Sequence, residues 1–463
     1  MARVRVAVVG GGIAGLAAAH RLRELAGAAV AVDVYEAGPA PGGKLRSGRL
    51  AGHPVEYGAE AFLARDPVTG DDSAAVALAR AVDPGTALRH PATARAAIAA
   101  DGALHPVPAG TLVGVPGDPA ALPPLTAASA EPPGDRPLLG PAQDVSVGAL
   151  VRARLGAGVL DRLVDPMLGG VYAGRADDLS LAVTMPALAR ACRTESTLAG
   201  AVRAAVAALP RRPGAPVFAA PAGGMTRLVG ALAAAGGAAL HCGRTVRALD
   251  RTAAGWRLTI GPTADPAYAE ADAVVLAVPA RPAARLLTAA APLAADLIGA
   301  LDYASIALVT LALPAGTPLP DLSGLLVAGP GAVKAATFFG RKWGHPADVP
   351  VLLRASLGRY GEEAVLQADD HALVATARAD LAALLGARLP EPLAAHVQRW
   401  GGALPQYRPG HLDRVAAARA ALPPGLALAG AACDGIGIPA CVASGRRAAD
   451  DLRPILASGE LRD

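Results

Sequence analysis

RVRVAVVGGGIAGLAAAHRLRELA, residues 3–26, carries three signals in order. Residues 3–9 are a short β-branched run, the pattern of a strand buried on both faces of a parallel sheet. Residues 10–12 are a glycine turn, and residues 13–26 carry helix formers with no breaker. A second apolar run, AAVAVDVYE at 28–36, predicts the next strand and completes a βαβ start. Gly10, Gly12 and Gly15 give the pattern G-x-G-x-x-G, with Ile13 and Ala14 between the last two. The first glycine allows the tight turn, the second lets the backbone approach a pyrophosphate, and the third lets helix and sheet pack closely. Free N–H groups at the helix start then face the anion. In a chain with 54 glycines such a pattern alone is weak. Here it follows a strand, opens a helix, and is followed by Glu36 at the end of the second strand. That acid fits the residue that binds a ribose hydroxyl. The segment therefore predicts a dinucleotide site, without separating NAD from FAD.

Working outward, 463 residues suggest two or three domains. The chain is 53% hydrophobic, much of it alanine, and 18% charged, which describes a globular protein rather than a disordered one. A net charge of +4, no basic run and 3% aromatics exclude a nucleic-acid partner. The four cysteines (Cys192, Cys242, Cys433, Cys441) have no metal or disulfide spacing, and the nine histidines are scattered, so no metal is expected. The N-terminus leads directly into a strand, so the expectation is a cytoplasmic protein without a signal peptide. The apolar stretches 228–243 and 303–320 are too short or too proline-rich to span a bilayer. Loose contact with a membrane surface stays open.

Further along, 106–145 is rich in Pro and Gly and reads as loops, while 146–210 reads as helices broken near Pro166 and Pro186. Residues 244–260 read as a hairpin and 272–279 as a buried strand. Strands are expected at 303–313 and 349–357, a helix over 362–386, a strand at 425–430 and a helix over 437–457. No second G-x-G-x-x-G with good context occurs, so no domain for a nicotinamide cofactor is expected. Residues 36–44 read EAGPAPGGK. Gly42, Gly43 and Lys44 resemble the second FAD signature of amine-oxidase-like flavoproteins, in which a double glycine passes close to the diphosphate and a cation offsets its charge.

Several distant segments together resemble the protoporphyrinogen/coproporphyrinogen oxidase family, in the soluble form found in Gram-positive bacteria. They are VEYGAEAFL (55–63), DPMLGGVYAGRADDLSL (165–181), APAGGMTRLVGAL (220–232), VLLRASLGRYG (351–361), VQRWGGALPQYRPGHL (397–412) and GLALAGAACDGIGIPACVASGRRAA (425–449). The resemblance implies one non-covalent FAD per chain. Its expected contacts are Gly10, Gly12, Ile13, Ala14, Gly15, Glu36, Ala37, Gly43, Lys44, Arg46, Val246, Trp400, Ile436, Gly437 and Ile438. In the closing segment a helix beginning after Gly437 aims N–H groups at the flavin pyrimidine, with Asp434 available as a helix cap. The resemblance also implies a pocket lined by Gly170, Val171 and Tyr172, with Arg354 and Arg65 as candidates for propionate contacts. No protein acid or base is implied, because the flavin carries the chemistry. A cysteine link to the flavin is not expected.

The implied fold is α/β, with a Rossmann-like FAD-binding domain from residues 1–70, 212–285 and 395–463. A mainly helical substrate- or membrane-facing insertion spans 71–211, and a sheet-based substrate domain spans 286–394. The implied reaction is oxidation of coproporphyrinogen III to coproporphyrin III in haem synthesis, with molecular oxygen as acceptor, hydrogen peroxide released, and hand-over of product to a ferrochelatase left open. Alternatives are protoporphyrinogen IX as substrate, another flavin amine oxidase or desaturase, or a non-catalytic binder on the same fold, as in GDP-dissociation inhibitors.

Overall fold

A computed structural model describes residues 3–123, 126, 128–210 and 214–459. The opening signals become the strand Val4–Val9, the helix Ile13–Ala26 and the strand Val30–Glu36. They join a five-stranded parallel sheet ordered Ala239–Cys242, Val30–Glu36, Val4–Val9, Ala273–Leu276, Leu426–Leu428. The first strand shows why its apolar run is continuous. Val4, Val6 and Val8 enter the core on one face of the sheet, while Ala7 and Val9 enter a second core on the other. The first face is covered by Ile13–Ala26 and the closing helix Ile438–Asp450. The two helices touch so closely that a Cβ at Gly445 would be driven into the Ala14 carbonyl. The second face carries a three-stranded antiparallel sheet (Val246–Thr252, Gly255–Ile260, Ala267–Ala271) around the fully buried Trp256.

A seven-stranded sheet forms the second layer. Its order is Ala394–Pro405, Tyr303–Leu313, Val351–Leu357, Val333–Phe338, Gly324–Val327, Ala96–Ala100, Ala103–Pro106, and Asp370–Leu385 packs against it. A third core fills the helices between Val147 and Ala208.

Several borders move. Residues 96–106, expected in the helical insertion, form two strands of the large sheet, and Ala394–Pro405, expected with the cofactor domain, form its edge. Both shifts have one cause: sheet pairing is long-range, and a short strand carries no local mark of its partner. The border set at residue 212 lies outside the described residues. The helix expected over 362–386 begins at Asp370, because the Asp369 side chain accepts from the Ala372 N–H at 2.8 Å and caps it. Residues Glu363–Gln367 form a separate 3₁₀ turn. The helix expected over 437–457 breaks after Asp450 and restarts at Arg453, with Pro454 in the first turn where its missing N–H costs nothing. Among the described residues no helix is long and apolar enough to cross a membrane.

Candidate active site

The glycine turn has the backbone its spacing predicts. Gly10 adopts φ +109°, a conformation side chains resist, while its N–H donates to Tyr35 O at 2.8 Å. A Cβ on Gly15 would run into the Gly10 carbonyl, so the third glycine is a packing requirement. Gly12 differs, since a Cβ there would meet nothing within 4 Å. It faces open space at the start of Ile13–Ala26, and that helix has no side-chain cap. The N–H groups of Ile13, Ala14 and Gly15 therefore lack intrahelical acceptors and suit an anion. The second double glycine docks on the first. Gly42 N donates to Gly11 O at 2.8 Å, Gly12 bridges Gly42, and Gly43 (φ +57°) lies against Gly12 Cα. The Glu36 carboxylate accepts from Gly11 N at 2.8 Å and Gly38 N at 2.7 Å, which fixes it at the mouth of the turn beside the exposed Ala37. Arg244 N donates to Glu36 O at 2.9 Å, and Val246 opens its strand two residues later. The sequence-predicted residues of the adenosine end thus come together.

The other end of the cleft holds Lys44, Arg46, Trp400 and the closing helix. The Lys44 side chain is open to solvent yet lies deep between walls, and desolvation pulls its pKa below the ordinary ammonium value. The Arg46 guanidinium sits 5.4 Å from the Trp400 ring centre, and Trp400 Nε1 donates to Tyr57 O at 3.0 Å. A cavity of about 490 Å³ opens beside Trp400, lined in part by Ser305, Glu363, Asp369 and Arg399. Ile438–Asp450 starts at Gly437 without a side-chain cap. Asp434 does not cap it, contrary to the reading from sequence. Its carboxylate accepts from Arg419 Nη1 at 3.0 Å and Nη2 at 2.6 Å, and also binds Arg447 and the Ser444 hydroxyl. Burial opposes its charge, but these partners hold its pKa below the usual carboxylate value. The helix start at Gly437 and Ile438, next to Ile436, is left free for a ligand.

The helix Asp165–Tyr172 follows a π-helical turn at Leu160–Val164 and ends at Ala173 in the left-handed region (φ +48°). The carbonyls of Gly170 and Val171 lie in its last turn, where a helix has no internal donor for them. Gly170 is exposed, and Val171 is 52% exposed. Gln406 Nε2 donates to Tyr172 O at 2.9 Å, the Tyr172 ring meets Tyr407 edge-on at 6.0 Å, and the Tyr407 hydroxyl donates to Ala431 O at 2.5 Å. This chain of contacts joins the 165–172 segment to the closing segment.

Both candidate arginines already have partners within the protein. Arg354 is partly buried and held by the protein, with Nη1 donating to Glu56 O (3.1 Å) and Gly58 O (2.9 Å) and Nη2 lying 3.3 Å from Glu60. Arg65 pairs with Asp72 at 2.9 Å in a separate cavity with Arg80, Thr86 and His90. Neither joins the Gly170–Tyr172 group. Sequence reasoning missed Glu56, Glu60, Lys342 and Arg359. Glu60, Lys342 and Arg359 are ion-paired over long sequence distances, Glu56 accepts from the Ser47 hydroxyl and Met225 N, and only their rarity among apolar neighbours could have marked them. Among the described residues no group of His, Cys, Asp and Glu is placed to hold a metal.

Open space before Gly12, two uncapped helix starts and a cation between them are what a long, anionic, flat cofactor requires, and the residues present fit it. The model of the family described as flavin containing amine oxidoreductase matches residues 13–453, and the chain belongs to that family. It is similar to coproporphyrinogen III oxidase of Mycobacterium tuberculosis H37Rv, with 40% identity over 449 residues covering 95% of each protein. It is 28% identical over 480 residues to coproporphyrinogen III oxidase of Bacillus subtilis, covering 98% of each. A crystal structure from Exiguobacterium sp. 255-15, provisionally called a protoporphyrinogen oxidase, aligns over 100% of both chains with TM-score 0.82 and 29% identity. The protein is accordingly a flavin oxidoreductase.

Proposed function

We propose that this chain oxidises coproporphyrinogen III to coproporphyrin III using one non-covalent FAD per chain, with dioxygen as acceptor and hydrogen peroxide as second product. The observation that carries the reading is the contact chain from Tyr172 through Gln406 and Tyr407 to Ala431, which sets the Gly170 turn beside the closing segment of the flavin cleft. The relatives supply the identity of the substrate. The provisional name of the Exiguobacterium protein favours protoporphyrinogen IX as the second reading.

The N–H groups of Ile13, Ala14 and Gly15, with Gly12 and Gly43 giving close approach, would bind the pyrophosphate. Glu36, Ala37 and Val246 would surround the adenosine, and Lys44, Arg46 and Trp400 would flank the flavin ring. The free start of Ile438–Asp450, with Ile436 and Gly437, would face the pyrimidine and favour negative charge there. Bound flavin supplies a two-electron acceptor for hydride, and three rounds remove the six electrons that separate porphyrinogen from porphyrin. The last-turn carbonyl of Gly170 would accept a pyrrole N–H, while Val171 and Tyr172 cover the ring. Tyr172 acts as a wall and not as a base, since burial pushes its pKa up to about 12. The FAD unit would draw on 1–70, 212–285 and 395–463, less the sheet strand already assigned elsewhere. We place the enzyme in the cytoplasm, where a ferrochelatase is the partner class that would take the product.

The test is anaerobic mixing of the yellow holoenzyme with coproporphyrinogen III. The flavin band should bleach, and admitting air should restore it with release of peroxide. A band that stays unbleached would reject the reading.

A further inference from the structure

The strand Val351–Leu357 sends Arg354 out of the large sheet and towards residues 56–60. Its Nη1 spans two carbonyls of that turn, Glu56 O at 3.1 Å and Gly58 O at 2.9 Å, and its Nη2 lies 3.3 Å from Glu60 Oε2. Glu60 also takes the ammonium of Lys342, from the short helix Phe339–Trp343. The Arg354 side chain is 12% exposed and Glu60 is 9% exposed, so these charges depend on one another. The carboxylate stays ionised because the two cations outweigh its burial.

Residues 56–60 form one wall of the flavin cleft. Tyr57 N donates to Arg46 O at 2.7 Å, and Tyr57 O accepts from Trp400 Nε1 at 3.0 Å. Ala59 N donates to Lys44 O at 3.1 Å. Gly58 lies so close that a Cβ would enter the Lys44 carbonyl and stand 3.4 Å from the Trp400 ring. Lys44 and Arg46 are tied to this turn through their backbone carbonyls, and Arg354 and Trp400 are two side chains of the large sheet that grip its backbone.

We infer that Arg354 is a positioning residue. With Glu60 and Lys342 it latches residues 56–60 to the large sheet and so fixes Lys44, Arg46 and Trp400 around the flavin, and it does not bind a substrate propionate. The inference rests on the flavin cleft proposed above, but not on which tetrapyrrole is the substrate. Arg354→Lys keeps the charge and loses the forked donation. Charge-assisted bonds of this kind are worth roughly tenfold or more in a binding constant. In the full-length holoenzyme, Arg354→Lys should speed FAD release into dilute buffer by about tenfold and shift the visible band of flavin still bound. It should lower kcat/KM by the same factor for coproporphyrinogen III and protoporphyrinogen IX, through kcat more than KM. Glu60→Gln should act in the same direction and more weakly, because its amide oxygen can still accept from the Lys342 ammonium and the two carbonyl contacts of Arg354 remain. Unchanged FAD release and an unchanged band, with a loss confined to coproporphyrinogen III and carried by KM, would overturn the inference. If the substrate reading were wrong, the FAD-release and spectral effects would still appear.

Discussion

Gly12 and Gly15, three positions apart, put opposite demands on a side chain. Around Gly12 there is room for one until a cofactor arrives, whereas at Gly15 there is none. Gly12→Val should therefore yield a folded protein with native far-UV circular dichroism and no bound flavin. Gly15→Val should cost several kcal/mol and give little soluble protein. Full flavin content in Gly12→Val would show that this glycine serves only the turn. Ala173 makes a smaller test. Its left-handed backbone is unfavourable for alanine by roughly 1 kcal/mol, so Ala173→Gly should raise the thermal midpoint slightly, by a few degrees at most. These glycines were legible in the sequence because a backbone requirement is local. The tasks of Arg354, Arg65 and Asp434 were not, since sequence shows that a residue is charged but not which way its side chain points. Each found a partner that no spacing rule connects to it: the 56–60 carbonyls, Asp72 and Arg419. With Arg354 and Arg65 held by groups of the protein, the substrate proposal stands on the named relatives.

The segment from Gln406 to His411 links three elements: the helix Asp165–Tyr172, the edge strand Ala394–Pro405 and the closing segment. Gln406, Tyr407 and His411 are buried, and His411 shows what that does. Burial pushes its pKa down to about 4, while Nε2 lies 3.3 Å from Cys433 O and the ring lies 4.7 Å from that of Tyr407. A histidine kept neutral in the fold takes up its proton more readily when unfolded. Its stabilising contribution is full above the ordinary imidazole value of about 6.5 and is lost as pH falls towards about 4. The shift corresponds to about 3 kcal/mol at most. The thermal midpoint should drop over that window, and His411→Phe should make the drop shallower. An equal slope in both proteins would remove His411 from the account. At this scale periodicity served well where elements were long: the first strand–helix–strand and the strand 303–313 follow it. It failed where a cap or a proline cuts a helix, at Asp369 and Pro454, and at the π-helical turn Leu160–Val164, which has no local signature.

At the scale of the molecule, the parallel sheet is built from strands as far apart as Val4–Val9 and Leu426–Leu428, and the cleft exists only when the termini meet. The two glycine motifs and the closing motif made that convergence readable in advance, because they belong to one site. The large sheet recruits Ala96–Ala100 and Ala103–Pro106 without any such marker, and there the sequence-based borders were misplaced. Burial pushes the thiols of Cys433 and Cys441 up to about 12 and about 11, so neither offers a thiolate for a covalent flavin link. Acid precipitation should release all the flavin into the supernatant as FAD, one per chain, and flavin left in the pellet would contradict this. Adding FAD to the flavin-depleted protein should raise the thermal midpoint in proportion to the logarithm of its concentration. The most direct measurement is the ratio of kcat/KM for coproporphyrinogen III to that for protoporphyrinogen IX, followed by porphyrin fluorescence in air. The account predicts a ratio well above one, with coproporphyrin III as product. A ratio at or below one, or no porphyrin formed from either by a flavin-replete protein, would contradict it.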